Sequence, residues 1–181
     1  PYSYLAYYKL KSLKDYKEIN INFKPILLGG LHKLGGITAP AFNEHKLKNM
    51  KNDCNLVAKK NKISFYWNSK FPINSLYLMR GYLAIDKSFK KRYFEICFDA
   101  YWKDNVDISE DSKVSEILNK TGIDEKKILY KIKSIDIKEE LKNLTNLAFE
   151  KNIFGAPTFV VNKKIFWGQD RLEYALDEYN S

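Results

Sequence analysis

Arginine is scarce in this sequence, although the formal net charge is +9 over 181 residues. Only Arg80, Arg92 and Arg171 are arginines among the 31 basic residues, and the others are lysines spread along the chain. Sites that bind phosphates or bases favour the planar guanidinium fork. The charge therefore indicates a diffuse lysine-rich surface rather than a nucleic-acid site. We expect weak, salt-sensitive binding to duplex DNA.

Cysteine and long apolar runs are scarce as well. Cys54 and Cys97 are the only cysteines, and neither lies in a Cys-x-x-Cys motif. The apolar run around Cys97 predicts a buried, unreactive thiol. This cysteine usage is typical of a reducing compartment, so we expect a cytoplasmic protein. No apolar run approaches the ~20 residues of a membrane span, and we expect no membrane partner.

Histidine occurs only twice, as His32 and His45. Either could act as a general base, because histidine titrates near neutral pH. Neither has a plausible nucleophile beside it in the sequence. We therefore expect both at surface or loop positions, and we expect no metal site.

The clearest local pattern lies near the end of the chain. Two short β-branched and aromatic runs, at residues 159–161 and 165–167, flank Asn162 and Lys163. This spacing predicts a β-hairpin, because Asn tolerates the positive φ of a tight turn. After Gly168, Asp170 is a candidate N-cap of a final helix.

Elsewhere the periodicity predicts mostly helix. Apolar residues at helical spacing predict a helix over residues 1–17 with Pro1 at its first position. Alternation over residues 19–28 predicts a strand that ends at a Gly29-Gly30 break, and the irregular stretch over residues 31–43, with Gly35-Gly36 and Pro40, is interpreted as a loop. Further helices are predicted over residues 44–60, 74–86, 88–103, 112–120, 124–133 and 138–151, with Asp124 as an N-cap.

Several motifs in chain order resemble one family, the kappa-class glutathione transferases and 2-hydroxychromene-2-carboxylate isomerases. The motifs are Pro1-Tyr2-Ser3-Tyr4-Leu5-Ala6, Phe71-Pro72 with Asn74-Ser75 and Arg80, Ala100-Tyr101-Trp102 with Asp107-Ile108-Ser109, Gly155-Ala156-Pro157-Thr158, and Trp167-Gly168-Gln169-Asp170-Arg171. The resemblance implies an α/β, thioredoxin-like fold of the DsbA and kappa-class type. Residues 1–40 and 150–181 would form the thioredoxin-like part, and residues 41–149 a large all-helical insertion.

The resemblance also implies a binding site for glutathione. Pro157 would follow a cis peptide bond and leave the backbone of Ala156 free to pair with the bound thiol peptide. Gln169 and Asp170 would hold the γ-glutamyl end, and Asp170 could cap the helix as well. Lys46 would approach the glycyl carboxylate, although lysines are common enough here for a chance match. Tyr2, in the first motif, would complete the contacts.

Two positions, Ile37 and Ala39, depart from the family pattern, and Ala39 replaces one proline of the family's proline pair. Ile37 stands where the family usually has an asparagine, so a polar contact to glutathione is missing or passes to Thr38 or Asn43. The family's catalytic serine would precede Pro1, so no catalytic residue is assigned within this sequence. Ser3 takes the place of the second cysteine of a Cys-x-x-Cys oxidoreductase, and it should not be given the role of that serine.

The resemblance thus implies a glutathione-dependent isomerase, acting as a homodimer on an aromatic or conjugated small molecule. A kappa-class-like glutathione transferase remains open, as does a non-catalytic ligand-binding relative, because of Ile37. A dithiol oxidoreductase is disfavoured by Ser3, and a nucleic-acid binder has only the +9 charge in its favour.

The start of the sequence carries a separate expectation. The chain begins inside the first family motif, without an initiator Met and without a strand ahead of the first helix. We therefore expect the sequence to be an N-terminally incomplete copy of the functional protein. A strand and a serine placed upstream of Pro1 would be needed for stable folding and for turnover.

Overall fold

Helices dominate the computed structural model, which describes residues 1–109 and 111–181. The α-helices are α1 (Tyr2–Lys11), α2 (Leu28–Leu34), α3 (Glu44–Lys60), α4 (Leu76–Ala84), α5 (Lys87–Trp102), α6 (Asp111–Thr121), α7 (Glu125–Ile132), α8 (Ile135–Glu150) and α9 (Leu172–Asn180). The strands β1 (Thr158–Val161) and β2 (Lys164–Trp167) form one antiparallel pair. No helix in the described residues combines the length and apolar character needed to cross a membrane.

The described chain divides into two compact units. The first contains Pro1–Phe23, Leu28–Phe65 and Ala148–Ser181, and the second contains Lys24–Leu27 and Tyr66–Leu147. The candidate site residues Tyr2, Lys46, Pro157, Gln169 and Asp170 all belong to the first unit.

Helix α1 supplies much of the core of the first unit. Tyr4, Leu5, Ala6, Tyr7 and Leu10 are all buried, and burying each large side chain contributes about 1.5–3 kcal/mol. The Tyr4 hydroxyl donates a hydrogen bond to the carbonyl of Ser64, so its polar tip is satisfied inside the core. The helix begins one residue after Pro1 and ends earlier than the predicted residue 17. Residues 16–18 form a separate 3₁₀ turn.

The predicted strand over residues 19–28 is wrong. Residues 20–27 lie in neither a helix nor a strand. Helix α2 begins at Leu28, the last residue of the predicted strand, and continues to Leu34 through the glycine pair into the predicted loop. A strand needs a neighbouring backbone to accept its hydrogen bonds. Here the Asn20 N–H instead donates to the Tyr179 hydroxyl (3.3 Å), and the Leu27 N–H donates to Thr145 Oγ1 (3.0 Å).

The hairpin prediction is confirmed. Thr158 pairs with Trp167, and Val161 pairs with Lys164, so the turn contains only Asn162 and Lys163. Both turn residues have positive φ, +47° and +67°. This is the mirror-image turn that matches the twist of two short strands, and Asn is among the residues that tolerate it best.

The predicted helices between residues 44 and 151 are also confirmed, with ends within three residues of the prediction. Asp124 caps α7 as expected, since its side chain accepts a hydrogen bond from the Lys127 N–H (3.3 Å). Asn74 has a comparable role at α4, because its side-chain oxygen accepts from the Leu76 N–H (3.1 Å). Short-range sequence signals thus suffice for these helix ends.

The second unit has its own buried core. Tyr93 packs against Gly81, which has no side chain to block the ring, and donates to the Leu78 carbonyl (3.1 Å). The buried Asn68 donates to the carbonyls of Tyr101 and Val106. Cys97 is buried as predicted, and burial raises the pKa of its thiol to about 12. This thiol is therefore protonated and unreactive at neutral pH.

Replacing Lys163 by glycine should stabilise the protein. The left-handed conformation costs a non-glycine residue about 1–2 kcal/mol, whereas the added flexibility of glycine in the unfolded chain costs about 0.5–1 kcal/mol. We expect Lys163→Gly to raise the free energy of unfolding in urea by up to about 1 kcal/mol. Lys48→Gly, at an exposed position in the second turn of α3, is the control and should lower it by about 1 kcal/mol. Equal losses in both variants would contradict the turn assignment.

Candidate functional site

The segment that leads into β1 has the predicted special backbone. The Ala156-Pro157 peptide bond is cis, which confirms the prediction made for Pro157. The Thr158 hydroxyl donates to the Gly155 carbonyl (2.7 Å) and closes the turn around this bond. Among the residues that the structure describes, no hydrogen bond engages the backbone N–H or C=O of Ala156. These two groups are therefore available to an extended ligand backbone.

The hairpin brings this segment to the Gly168 turn. Beyond the last strand pair, Thr158 with Trp167, the Gly168 N–H donates to the Pro157 carbonyl (3.0 Å). Gly168 has φ +109°, a conformation that suits glycine. Ala156 and Pro157 thus lie beside Gln169 and Asp170, which are 12 or more residues further along the chain. Four of the six predicted site residues are brought together in this way.

Gln169 is held in place by a lysine of helix α1. It is only 8% exposed, and both its backbone carbonyl and its side-chain Oε1 accept hydrogen bonds from Lys9 Nζ, at 3.0 Å and 3.2 Å. Lys9 was not singled out in the sequence. It is one of many lysines, and its partner lies at the opposite end of the chain, so no local pattern could have indicated it.

Asp170 is exposed beside Gln169, and its carboxylate lies 3.5 Å from Arg171 Nη1. An exposed pair of this kind contributes little to stability. The prediction that Asp170 caps the last helix is wrong. A short 3₁₀ turn, Gln169–Arg171, precedes α9, and the residue at the N-cap position is Arg171. No side chain of the described residues makes a capping hydrogen bond there. The carboxylate of Asp170 therefore remains accessible to a ligand.

Two exposed aromatic rings flank the same turn. Phe154 is 46% exposed and Trp167 is 52% exposed, and their ring centroids lie 4.9 Å apart. Gly155 lets the indole approach, since a Cβ at that position would lie 2.5 Å from Trp167 Nε1. Large aromatic surface left in water is a frequent sign of a binding surface. We call Phe154 and Trp167 the aromatic pair.

Tyr2 lies at the start of α1, where it faces α3. Burial and a hydrogen bond to Asp53 raise the pKa of the Tyr2 hydroxyl, which is therefore protonated at neutral pH. Cys54, next to Asp53, is fully buried, and burial raises the pKa of its thiol to about 11. The Tyr2 hydroxyl thus donates its proton to Asp53, and the Cys54 thiol on α3 keeps its own.

Lys46 is exposed in the first turn of α3. Within the described residues, no hydrogen bond or ion pair joins its side chain to the other predicted site residues. Its backbone N–H donates to Asn43 Oδ1 (3.0 Å), so Asn43 is used as the N-cap of α3. Asn43 is therefore a weak substitute for the asparagine that Ile37 replaces, and Ile37 itself is 39% exposed.

The two histidines differ in their environment. His45 is exposed on α3, as expected for a surface residue. His32 lies in helix α2 rather than in a loop, and it is partly buried. Its Nδ1 atom is enclosed without a hydrogen-bond partner in the described part of the chain, and burial lowers the pKa of the ring.

Comparison with known proteins identifies the fold. A family model described as a DSBA-like thioredoxin domain matches residues 1–180. A solved structure of a 2-hydroxychromene-2-carboxylate isomerase superposes with a TM-score of 0.89 at 23% identity, and the match covers 99% of this chain and 89% of that one. The thioredoxin-like fold with added helices is therefore confirmed.

Relatives at similar identity include two kinds of enzyme. The 2-hydroxychromene-2-carboxylate isomerase of Sphingobium xenophagum is 24% identical over 181 residues, which cover 99% of this chain and 92% of that protein. The glutathione S-transferase kappa 1 of Homo sapiens is 26% identical over 188 residues, which cover 96% of this chain and 83% of that protein. This chain belongs to the DSBA-like thioredoxin family, and its relatives in that family include isomerases and glutathione transferases.

Proposed function

We propose that this protein is a glutathione-dependent isomerase that acts on an aromatic or otherwise conjugated small molecule. The observation that carries the proposal is the hydrogen bond from the Gly168 N–H to the Pro157 carbonyl. It brings the unpaired backbone of Ala156 beside Gln169 and Asp170. Similarity to the isomerase of Sphingobium xenophagum along 99% of this chain supports the choice of reaction.

The residues of this turn fit the chemistry of a γ-glutamyl peptide. Its backbone would pair with the N–H and C=O of Ala156 as an added strand does. Its α-ammonium would pair with the exposed carboxylate of Asp170, and its α-carboxylate would accept from the carboxamide of Gln169. When bound, glutathione supplies a nucleophilic thiol that adds reversibly to a conjugated carbon. Addition of this kind removes the double-bond character that prevents rotation.

Two further contacts complete the proposed site. The Tyr2 hydroxyl, whose proton is engaged by Asp53, would accept a hydrogen bond from an N–H of the peptide near the start of α1. The exposed ammonium of Lys46 would pair with the glycyl carboxylate at the far end of the peptide. An exposed lysine on a flexible stem gives a weak, salt-sensitive contact, so the γ-glutamyl end carries more of the selectivity.

The aromatic pair is the proposed contact for the conjugated substrate. Phe154 and Trp167 expose large π surfaces next to the cis Ala156-Pro157 bond. Stacking on such surfaces contributes about 0.5–1.5 kcal/mol beyond the area that is buried. A flat conjugated ring stacked there would lie beside the bound peptide, as the reaction requires.

A kappa-class-like glutathione transferase is the second candidate, favoured by the 26% identity to the human enzyme. A transferase would release a stable glutathione conjugate, whereas an isomerase would return free glutathione unchanged. Product analysis by mass spectrometry distinguishes the two. A protein that binds glutathione without forming either product would be the non-catalytic relative suggested by Ile37.

The γ-glutamyl assignment predicts that Asp170→Asn weakens glutathione binding at least tenfold. The substitution keeps the shape of the side chain and removes one charged hydrogen bond, which is worth about 1.5–3 kcal/mol. Isothermal titration calorimetry measures the change. Asp177→Asn, an equally exposed carboxylate on α9, is the matched control and should bind like the unaltered protein. Equal affinity of both variants would show that Asp170 does not contact the ligand.

The aromatic pair predicts a separate effect on the conjugated substrate. Trp167→Leu and Phe154→Leu should each raise the KM for 2-hydroxychromene-2-carboxylate about three- to tenfold, because each removes a stacking surface. The KM for glutathione should stay within about twofold. Tyr130→Leu, which removes an exposed aromatic ring in the other unit, should leave both KM values unchanged. Parallel losses for both ligands would mean that the rings only support the turn.

A further inference from the structure

Lys9 makes two hydrogen bonds to the same residue. Its ammonium lies 3.0 Å from the Gln169 carbonyl and 3.2 Å from Gln169 Oε1. The Lys9 side chain is partly buried, and Gln169 is 8% exposed. Both hydrogen bonds connect α1 to the turn that begins after Gly168. The contact is well enclosed, so it is not a loose surface pair.

The chemistry of the ammonium fixes which way the Gln169 carboxamide points. A lysine ammonium has three donors and no acceptor, whereas a carboxamide has an oxygen acceptor at one end and an NH₂ donor at the other. Only the oxygen can face Lys9. The NH₂ group must therefore point away from Lys9, and among the described residues no hydrogen bond engages it. Without Lys9, either end of the carboxamide could face the ligand.

We propose that Lys9 is a positioning residue that turns Gln169 into a hydrogen-bond donor, so that this position selects a carboxylate. The inference rests on the proposed function, since the carboxylate is the α-carboxylate of the γ-glutamyl group. Asp170, the next residue in the chain, has the opposite chemistry, because its exposed carboxylate can accept from the α-ammonium of the ligand. The two neighbours thus recognise a zwitterion in one orientation only. Lys9 acts through Gln169 and does not touch the ligand.

A purely structural role for Lys9 predicts a different effect on ligand binding. If Lys9 only tethers α1 to the turn, its loss lowers the stability of the protein and weakens the binding of every ligand of the site to the same extent. If Lys9 sets the polarity of Gln169, its loss changes the preference between ligands. The informative quantity is therefore a ratio of two dissociation constants. The two ligands are glutathione and its analogue in which the α-carboxylate is a neutral carboxamide.

The test compares Lys9→Arg, Lys9→Met and Lys9→Glu by calorimetry with both ligands. The unaltered protein should prefer glutathione over the α-amide analogue by at least tenfold. Lys9→Arg keeps a cationic donor and should retain this preference. Lys9→Met frees the carboxamide and should reduce the preference several-fold. In Lys9→Glu, the introduced carboxylate accepts from the NH₂ group of Gln169, so that Gln169 Oε1 faces the ligand. The preference for glutathione should then vanish or reverse.

Repeating the measurement at high salt distinguishes a change in the orientation of the Gln169 carboxamide from charge repulsion between the variant and the ligand. Repulsion between the carboxylate introduced by Lys9→Glu and the carboxylate of the ligand weakens in 0.5 M salt, because the Debye length is then only about 4–5 Å. The change of preference caused by a turned carboxamide should persist in 0.5 M salt.

Gln169→Glu is a second variant that does not remove Lys9. It should keep the melting temperature through a charged pair with Lys9, yet weaken glutathione binding at least tenfold.

Each outcome decides one of the two proposals. If the unaltered protein binds no glutathione, the proposed function fails, and this inference fails with it. If it binds glutathione but all Lys9 variants keep the same preference, Lys9 is only a tether and this inference alone is overturned. Loss of preference in Lys9→Met and Lys9→Glu, with rescue by Lys9→Arg, establishes the positioning role.

Discussion

The hydrogen bonds between Lys9 and Gln169 join positions 160 residues apart in the chain, and the arrangement of the candidate site depends on them. One partner lies on α1, whose apolar face is buried in the core of the first unit. The other lies at the start of the final turn, directly after the hairpin. Because an ammonium can only donate, this contact sets both the position and the polarity of Gln169.

The hairpin determines what else lies beside this contact. Its four residue pairs and the added hydrogen bond from Gly168 to Pro157 hold the cis peptide next to Gln169. The same pairing brings Trp167 over Gly155, so the aromatic pair lies on the neighbouring surface. The two-stranded sheet of the described residues thus gathers the unpaired backbone of Ala156, the polar side chains of Gln169 and Asp170, and an aromatic surface. All three belong to one compact unit.

The protonation of the side chains near the start of α1 also fits this arrangement. Burial raises the pKa of the Cys54 thiol to about 11, so it is not a nucleophile at neutral pH. The Tyr2 hydroxyl keeps its proton for the same reason. Cys97, in the other unit, is equally inert. A reaction of the proposed kind therefore takes its thiol from the bound peptide, and the protein contributes hydrogen bonds and orientation.

The sequence by itself determined the elements whose signals are local. Asn162 and Lys163 between two β-branched runs specify the hairpin, and Asp124 specifies the start of α7. The cis bond at Pro157 was implied only by the resemblance of the Gly155-Ala156-Pro157-Thr158 motif to a known family. Other features needed the tertiary structure. The alternation in residues 19–28 fits a strand, yet the N–H groups of Asn20 and Leu27 bond to side chains of helices, because a strand forms only where a neighbouring backbone is available. Lys9 carries no local signal, since its role arises from a partner at the far end of the chain, and only the packing of α1 against the final turn decides it.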